Sequence, residues 1–492
     1  MSRISLVAVA LLSLVAQPAL AQDAKTVIAT ASTAMGADGV TSLTFYGSGA
    51  NYNLGQSNSP TGPWPRVNLN DYRRSIDFGQ PASRATAVTW VAPPQGTPSV
   101  QGAFNQLVTP ANQTWAQQLE IWITPWGFLK GAAANGATTR TQTVGGRRQH
   151  VVSWNAPLKS PGGQAYRVVG YINAQTNLVD RVETWLENPL FGDMHVEAIY
   201  SDWREGLNGF RFPSAIVQRR AGWPTFEAQI LGAEANPGNI QDLMTPPPAP
   251  ATAGRAGGPG GPAPGGAPAA PASTSERLAD GVYRITGGYV ALAVEFRDHV
   301  VLFEPGPQNE ARALAIIAEA KRVIPGKPIR YGIVSHHHLD HTSGLAAAVA
   351  EGITLVTHED SRTYFERALG APRTLAPDTM SKSGRKPVIE GIREKRVFTD
   401  GTRTLEVHEI KGLPHADGML IAYLPKERIV AYADMFNMPA PNAPPAPPTA
   451  GHSAMAANLE RLKLDVDTVI SVHAPNPDRP IRGADIMGTL GR

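Results

Sequence analysis

Short runs of β-branched and aromatic residues recur through the first half of the chain, with polar residues between them. Four such runs lie at residues 41–46, 87–91, 149–154 and 196–200. A strand buried on one face alternates apolar and polar side chains, so residues 22–244 are predicted to form a mainly antiparallel β domain. One helix is predicted at residues 115–131, although Pro125 interrupts it.

Two longer stretches of this region are predicted to be successive hairpins. Residues 165–185 turn at Asn-Ala-Gln-Thr-Asn (173–177), and residues 194–230 turn at 206–209 and again near Gly222. These hairpins suggest a curved antiparallel sheet. In this pattern alone, the region resembles the half-barrels of periplasmic lipoprotein-carrier proteins.

From residue 290 onward the pattern changes to apolar strands that alternate with helices. Strands are predicted at residues 290–294, 300–303, 331–335, 353–357, 419–424, 429–433 and 469–472. Helices are predicted at residues 309–323, 344–349, 359–369 and 455–464. This alternation indicates an α/β fold.

Residues 245–274, TPPPAPATAGRAGGPGGPAPGGAPAAPAST, separate the two patterns. Arg255 is the only charged residue of this segment, which has no large apolar side chain. A segment of this composition lacks the apolar side chains needed to form a core, and we predict that it is a partly extended linker. We therefore expect an N-terminal domain at 22–244, a linker at 245–274 and a C-terminal domain at 275–492.

The first 21 residues have the composition of a secretory signal peptide. Arg3 supplies a positive charge, residues 4–15 form an apolar run too short to span a bilayer comfortably, and Ala19-Leu20-Ala21 matches an A-x-A cleavage site. An uncleaved anchor is the alternative. We expect a periplasmic or secreted protein that begins at Gln22 and has no membrane span after cleavage.

Charge and cysteine content narrow the classes of function. The formal net charge is only +3 and no block of basic residues occurs, so nucleic-acid binding is not expected. The sequence contains no cysteine, which excludes disulfides, thiolate metal ligands and cysteine nucleophiles.

The candidate chemistry begins with the run Ser335-His336-His337-His338-Leu339-Asp340-His341, at the end of a predicted strand. Alternate residues of a strand share a face, so His336 and His338 can converge on one cation. Asp340 and His341 can point to a second cation as the chain turns into a helix. Imidazole and carboxylate are ligands that zinc accepts. The alternative interpretation is an exposed histidine-rich turn.

Three further candidates lie at the edges of later predicted strands. His415 precedes the strand at 419–424, Asp434 follows 429–433, and His473 follows 469–472. A lone histidine or aspartate at such a place is usually structural. Their joint order along the chain favours a metal site.

From about Glu276 to the C-terminus, these elements resemble the metallo-β-lactamase superfamily in their order. The resemblance covers somewhat under half of the chain and implies an αββα sandwich. It implies one metal on His336, His338 and His415, a second on Asp340, His341 and His473, and Asp434 as the bridge between them. His337 occupies the variable position of the motif and is not expected to be a ligand.

The resemblance implies two Zn²⁺ ions, with iron or manganese as alternative metals. Two cations roughly 3.5–4 Å apart can hold a water between them and lower its pKa towards neutrality. The resulting metal-bridged hydroxide attacks a carbonyl or phosphoryl centre, and Asp340 is expected to act catalytically by orienting it or accepting its proton. Asp434 makes the chain more similar to glyoxalase II and lactonases than to true lactamases. Glu304 stands where the superfamily usually has Asp.

Two residues are candidates for substrate contact. Tyr289 ends a Gly-Gly-Tyr turn that is predicted to overhang the site, although a plain turn is an equal alternative. His452 could donate a hydrogen bond to substrate, with a role at the start of a helix as the alternative. Residues 435–448 could form an apolar wall of the pocket or an inert surface loop.

The sequence therefore predicts an exported dinuclear zinc hydrolase that cleaves a small ester, lactone, amide or lactam. A phosphoesterase on the same metal site is the first alternative. A redox protein with a diiron site is a second, although no dinucleotide fingerprint is present to supply its flavin partner. A third alternative is a binding protein in which the N-terminal β domain performs the function.

Overall fold

The computed structural model describes residues 23–91, 100–245, 272–436, 447–475, 478–479 and 481–489. The predicted signal peptide at 1–21 and most of the predicted linker lie outside these residues. We call residues 23–245 the N-terminal half and the described residues from 272 onward the C-terminal half. Among the described helices, none has the length and apolar character needed to cross a bilayer.

One large antiparallel sheet forms the N-terminal half, as the strand pattern predicted. Its strands in chain order are β1 Ser42–Tyr52, β2 Arg66–Asp77, β3 Ala82–Val91, β4 Val100–Val108, β5 Thr138–Val144, β6 Arg147–Lys159, β7 Ala165–Asn173, β8 Val179–Asn188, β9 Gly192–Glu205, β10 Arg211–Arg220 and β11 Trp223–Ala235. Their order across the sheet is β4-β3-β2-β1-β11-β10-β9-β8-β7-β6-β5. The resemblance to lipoprotein-carrier half-barrels stays a prediction.

Helices of the N-terminal half contribute to its core with large aromatic side chains. These helices are α1 Ala24–Ala34, α2 Trp115–Trp122, α3 Pro125–Ala134 and α4 Ile240–Met244. The single helix predicted at 115–131 is two helices, because Pro125 begins α3 rather than lying inside one helix. Trp115 of α2 packs edge-on against Trp154 of β6, with ring centroids 6.3 Å apart. This contact joins the helices to the sheet.

The C-terminal half contains two mixed sheets. The first has β12 Thr274–Ala279, β13 Val282–Thr286, β14 Ala291–Glu295, β15 Val300–Phe303, β16 Ile329–Ile333, β17 Thr354–His358 and β18 Ile389–Ile392, in that order across the sheet. The second has β19 Lys395–Thr399, β20 Thr404–Glu409, β21 Leu420–Leu424, β22 Ile429–Tyr432, β23 Thr468–Ser471 and β24 Ile481–Arg482. Strand β12 begins at Thr274, the last residue of the predicted linker.

Helices cover the outer faces of these sheets. They are α5 Glu310–Val323, α6 Leu339–Thr342, α7 Leu345–Glu351, α8 Glu359–Gly370, α9 Thr379–Ser383, α10 Ala450–Leu462 and α11 Gly483–Thr489. Along β14, Leu292 and Val294 belong to the core shared with the second sheet, whereas Ala291 and Ala293 belong to the helix-side core. This alternation confirms the predicted αββα sandwich preceded by a mainly antiparallel β domain.

The two halves pack directly against each other. The Arg373 guanidinium, which is buried, donates to the carbonyl of Leu190 at 2.6 Å. The Asp193 carboxylate accepts from the backbone N–H of Leu375 at 2.9 Å. The rings of Phe191 and Tyr364 meet edge to face, with centroids 5.9 Å apart. Buried polar and apolar contacts therefore fix the N-terminal sheet beside helix α8 and the loop that follows it.

Candidate metal centre

The candidate ligands meet where strands of both sheets end. His336 and His338 follow β16, Asp434 follows β22, and His473 follows β23. His415 lies in the loop between β20 and β21. Because the strands lead into one edge of the sandwich, residues up to 137 positions apart converge there.

In the described part of the chain, two groups of side chains have the geometry of a metal site. One group is His336, His338, His415 and Asp434, and the other is Asp340, His341, Asp434 and His473. Within each group, the candidate ligand atoms lie within 4.8 Å of one another. Asp434 belongs to both groups, and His337 belongs to neither. We call these groups the first and second clusters.

Unpaired polar atoms in the first cluster fit a bound cation. His336 Nε2, His338 Nδ1 and His415 Nε2 are buried, and none forms a well-directed hydrogen bond among the described residues, while Asp434 Oδ2 lies close by, 2.6 Å from His341 Nε2. Burying polar atoms without partners is costly. A divalent cation accepts lone pairs from all four atoms, so this donor set suits such an ion.

The opposite nitrogens of two candidate ligands are held by neighbouring side chains. His336 Nδ1 forms a 2.9 Å hydrogen bond with Ser335 Oγ, and His341 Nδ1 lies 2.7 Å from Glu304 Oε2. Glu304 is fully buried, and its Oε1 also accepts from the Ser335 N–H at 2.9 Å. Fixing one nitrogen orients the ring and leaves the other free for a metal. Glu304 therefore links the His341 ring to the backbone of Ser335.

The electrostatics of the site favour neutral His336 and His338 rings beside an ionised Asp434 carboxylate. Burial would lower the pKa of His341, but the carboxylates of Glu304, Asp340 and Asp434 outweigh that effect and raise it. Burial and the neighbouring His341 lower the pKa of His336 to about 3, so this ring is neutral at ordinary pH. Burial would raise the pKa of Asp434, but the imidazoles around it outweigh that effect and hold the pKa far below its usual range. The backbone of Asp434 is in the left-handed region, at φ 47°. Aspartate adopts this conformation more readily than most residues other than glycine.

Tyr289 lies beside the second cluster, at the turn between β13 and β14. Its hydroxyl donates to Asp340 Oδ2 at 3.1 Å. Its ring centroid is 4.2 Å from that of His473. Burial, followed by the charge of Asp340, raises the pKa of Tyr289, so the phenol stays protonated. Tyr289 is thus placed to orient Asp340, while a contact with substrate stays a prediction.

His452 has a structural role at the start of α10. Its Nδ1 lies 2.8 Å from Thr449 Oγ1 in a capping box, and its ring stacks on Phe436 with centroids 4.5 Å apart. Its buried Nε2 has no partner among the described residues. Its role in substrate binding stays a prediction. Of the proposed wall at 435–448, residues 437–446 lie outside the described residues.

Sequence reasoning missed three residues of the N-terminal half that contact this centre. Gln56 Nε2 donates to Asp340 Oδ1 at 3.0 Å. The Ser57 carbonyl lies 2.9 Å from His338 Nε2, and Asn58 Nδ2 donates to the Pro414 carbonyl at 2.9 Å. The sequence around them is rich in Gly, Asn, Ser and Pro and indicates only a loop. No local signal could reveal partners about 280–360 positions away.

Comparison with known proteins identifies the fold of the C-terminal half. Residues 286–473 match the family model of the metallo-beta-lactamase superfamily. A metallo-beta-lactamase from Pontibacter korlensis is 16% identical, with a TM-score of 0.34, and the match covers 44% of this chain and 97% of that one. FIM-1 from Pseudomonas aeruginosa, in its mono-zinc form, is 19% identical, with a TM-score of 0.32 and coverage of 46% and 96%. No curated protein matches the sequence.

The matched segment contains both clusters in full. His336 is their first residue in the chain and His473, at the end of the match, is their last. The C-terminal half of this chain therefore carries a metallo-beta-lactamase superfamily domain and is a metal-dependent hydrolase.

Proposed function

We propose that this protein is an exported, dinuclear zinc hydrolase that cleaves a small ester, lactone, amide or lactam. One observation carries the proposal: two clusters of His and Asp donors share Asp434, and three buried imidazole nitrogens of the first cluster form no well-directed hydrogen bond among the described residues. Zinc is proposed because neutral imidazole is its common nitrogen ligand and carboxylate its common oxygen ligand. The proposed export rests on the signal-peptide composition of residues 1–21.

His336, His338 and His415 would hold the first metal, and His341, His473 and Asp340 would hold the second. Asp434 lies between the clusters and would bind both. Bound divalent cations supply Lewis-acid chemistry, by activating water and polarising a substrate oxygen.

Asp340 is the residue proposed to handle the proton. Its Oδ1 accepts from Gln56 and its Oδ2 from Tyr289, so the carboxylate is held in one orientation. Burial would raise the pKa of Asp340, but its contact with His341 outweighs that effect and lowers the pKa. A carboxylate that stays ionised and fixed can orient an attacking water or accept its proton.

The test combines metal analysis with a substrate panel. We expect the purified full chain to hold about two zinc ions and to hydrolyse an activated ester, a lactone or a β-lactam. His336→Ala should lose metal and activity together. His195→Ala is the matched control, because this partly exposed histidine of β9 belongs to neither cluster. Full hydrolysis by the metal-free chain would overturn the proposal, and cleavage of a phosphodiester alone would favour a phosphoesterase.

A further inference from the structure

A loop of the N-terminal half crosses the metal-binding motif of the C-terminal half. This loop, residues 53–65, connects β1 with β2, and we call it the crossing loop. The Leu339 N–H donates to the Gly55 carbonyl at 3.2 Å, and the Asp417 N–H donates to the Asn58 carbonyl at 2.6 Å. The crossing loop therefore joins the segment that holds His338 to the segment that holds His415.

The Ser57 carbonyl determines which nitrogen of His338 carries a proton. This carbonyl lies 2.9 Å from His338 Nε2 and 2.8 Å from His337 Nε2. A carbonyl oxygen can only accept, so each Nε2 must donate an N–H. A neutral ring protonated at Nε2 has its lone pair at Nδ1. His338 belongs to the first cluster, and its Nδ1 is the buried atom that has no partner in the described residues.

The crossing loop also reaches the second cluster. The Gln56 amide donates to Asp340 Oδ1 at 3.0 Å, and Asp340 Oδ2 lies 3.3 Å from His341 Nε2. One short segment thus orients a candidate ligand of each metal. Ser57 is buried, so little water can replace the contacts of its carbonyl with His337 and His338.

Gly55 makes this close approach feasible. Its φ is +72°, and a Cβ built there would lie 2.1 Å from the Leu339 Cγ. Any larger residue at this position requires Leu339 or the crossing loop to shift. Gly39 has a similar φ of +74°, yet a Cβ there would meet nothing within 4 Å in the described residues. Alanine at either position would strain the backbone, but only alanine at position 55 would also collide with the metal-binding motif.

We propose that the crossing loop is a positioning element of the metal centre, which holds His338 in the tautomer that binds through Nδ1 and fixes Asp340. The N-terminal half would then set metal affinity without supplying a ligand. This inference rests on the proposed metal site.

The first test compares Gly55→Ala with Gly39→Ala in the full chain. Zinc affinity is measured by chelator competition, with circular dichroism to verify folding. We expect Gly55→Ala to weaken zinc binding by about 10–100-fold, the usual effect of losing a partner of a metal ligand. Gly39→Ala should bind zinc as the wild type does. Equal affinity of the two variants would overturn the inference, whereas a wild-type chain that binds no zinc would overturn the proposed metal site itself.

Two further measurements keep the inference testable if Gly55→Ala does not fold. Asn58→Ala removes an exposed side chain that donates to the Pro414 carbonyl, and it should weaken zinc binding without backbone strain. In the zinc-loaded wild type labelled with ¹⁵N-histidine, His338 should show a metal-bound Nδ1 and a protonated Nε2. Binding through Nε2 of His338, or unchanged affinity in Asn58→Ala, would contradict the role of the crossing loop.

Discussion

At the scale of single residues, the metal centre depends on pairing one nitrogen of a ring while leaving the other free. Ser335 holds His336, Glu304 holds His341, and the Ser57 carbonyl holds His338. The motif itself could be predicted from spacing, because the histidines and Asp340 lie within one short run. The partners could not, apart from Glu304, since hydroxyls and carbonyls are too common to signal a role.

Asp434 gives the sharpest residue-scale prediction. Its Oδ1 lies 2.5 Å from His473 Nε2, and its Oδ2 lies 2.6 Å from His341 Nε2 and 3.2 Å from His336 Nε2. Asp434→Asn keeps the shape but removes the negative charge that two cations would share. We expect zinc content to fall below two per chain and turnover to slow by more than roughly tenfold. Elemental analysis and initial rates would measure this, and unchanged values of both would show that Asp434 does not bridge the metals.

At the scale of elements, prediction succeeded where apolar residues form a clear run or repeat and failed where they do not. Helix α5 was predicted at 309–323 and runs from Glu310 to Val323, because Asn309 caps it and its apolar residues repeat at helical spacing. Strand β5, TTRTQTV, was missed, since it is an edge strand without buried residues and shows no apolar alternation. The turn near Gly222 was predicted because the strands on both sides alternate clearly.

Thr124 gives a prediction at this scale, because it separates α2 from α3. Its Oγ1 accepts from the Gly127 N–H at 3.1 Å and donates to the Ile121 carbonyl at 2.7 Å, in a buried position. Thr124→Ala removes both bonds and should lower the free energy of unfolding by about 1–2 kcal/mol. Chemical denaturation followed by tryptophan fluorescence would measure the loss. Thr124→Ser retains the hydroxyl and should lose less, and equal losses in the two variants would refute this role.

At the scale of the whole molecule, the sequence predicted two halves but not the contacts between them. All candidate ligands follow the predicted linker, so the sequence assigns the whole site to the C-terminal half. In the structure, apolar residues of the N-terminal sheet and of helices α5, α7 and α8 form one continuous cluster. Contacts such as Asp193 with Leu375 join residues 182 positions apart. Local sequence patterns do not reveal such pairs, because nothing in the sequence around either residue marks it as a partner of the other.

This packing predicts what happens when the chain is cut between its halves. The linker sequence favours cleavage near Arg255, which lies outside the described residues, and a specific protease site inserted there would make the cut selective. Arg373 donates to the carbonyls of Pro189 and Leu190, and the rings of Phe191 and Tyr364 are in contact across the same interface. We therefore expect the two fragments to co-elute in size-exclusion chromatography after complete cleavage and to retain the zinc of the intact chain.

Arg373→Ala provides the matched comparison for that experiment. The substitution leaves both carbonyls without their donor and removes the 2.7 Å ion pair with Asp378, in a site where the side chain is 3% exposed. Loss of a buried charged donor costs about 3–5 kcal/mol when its partners stay buried. The cleaved variant should therefore separate into fragments at lower protein concentration than the cleaved wild type, and its C-terminal fragment should bind zinc more weakly once the Ser57 carbonyl is gone. Separation of the cleaved wild type under native conditions, with full zinc retained by the C-terminal fragment, would show that the halves are independent.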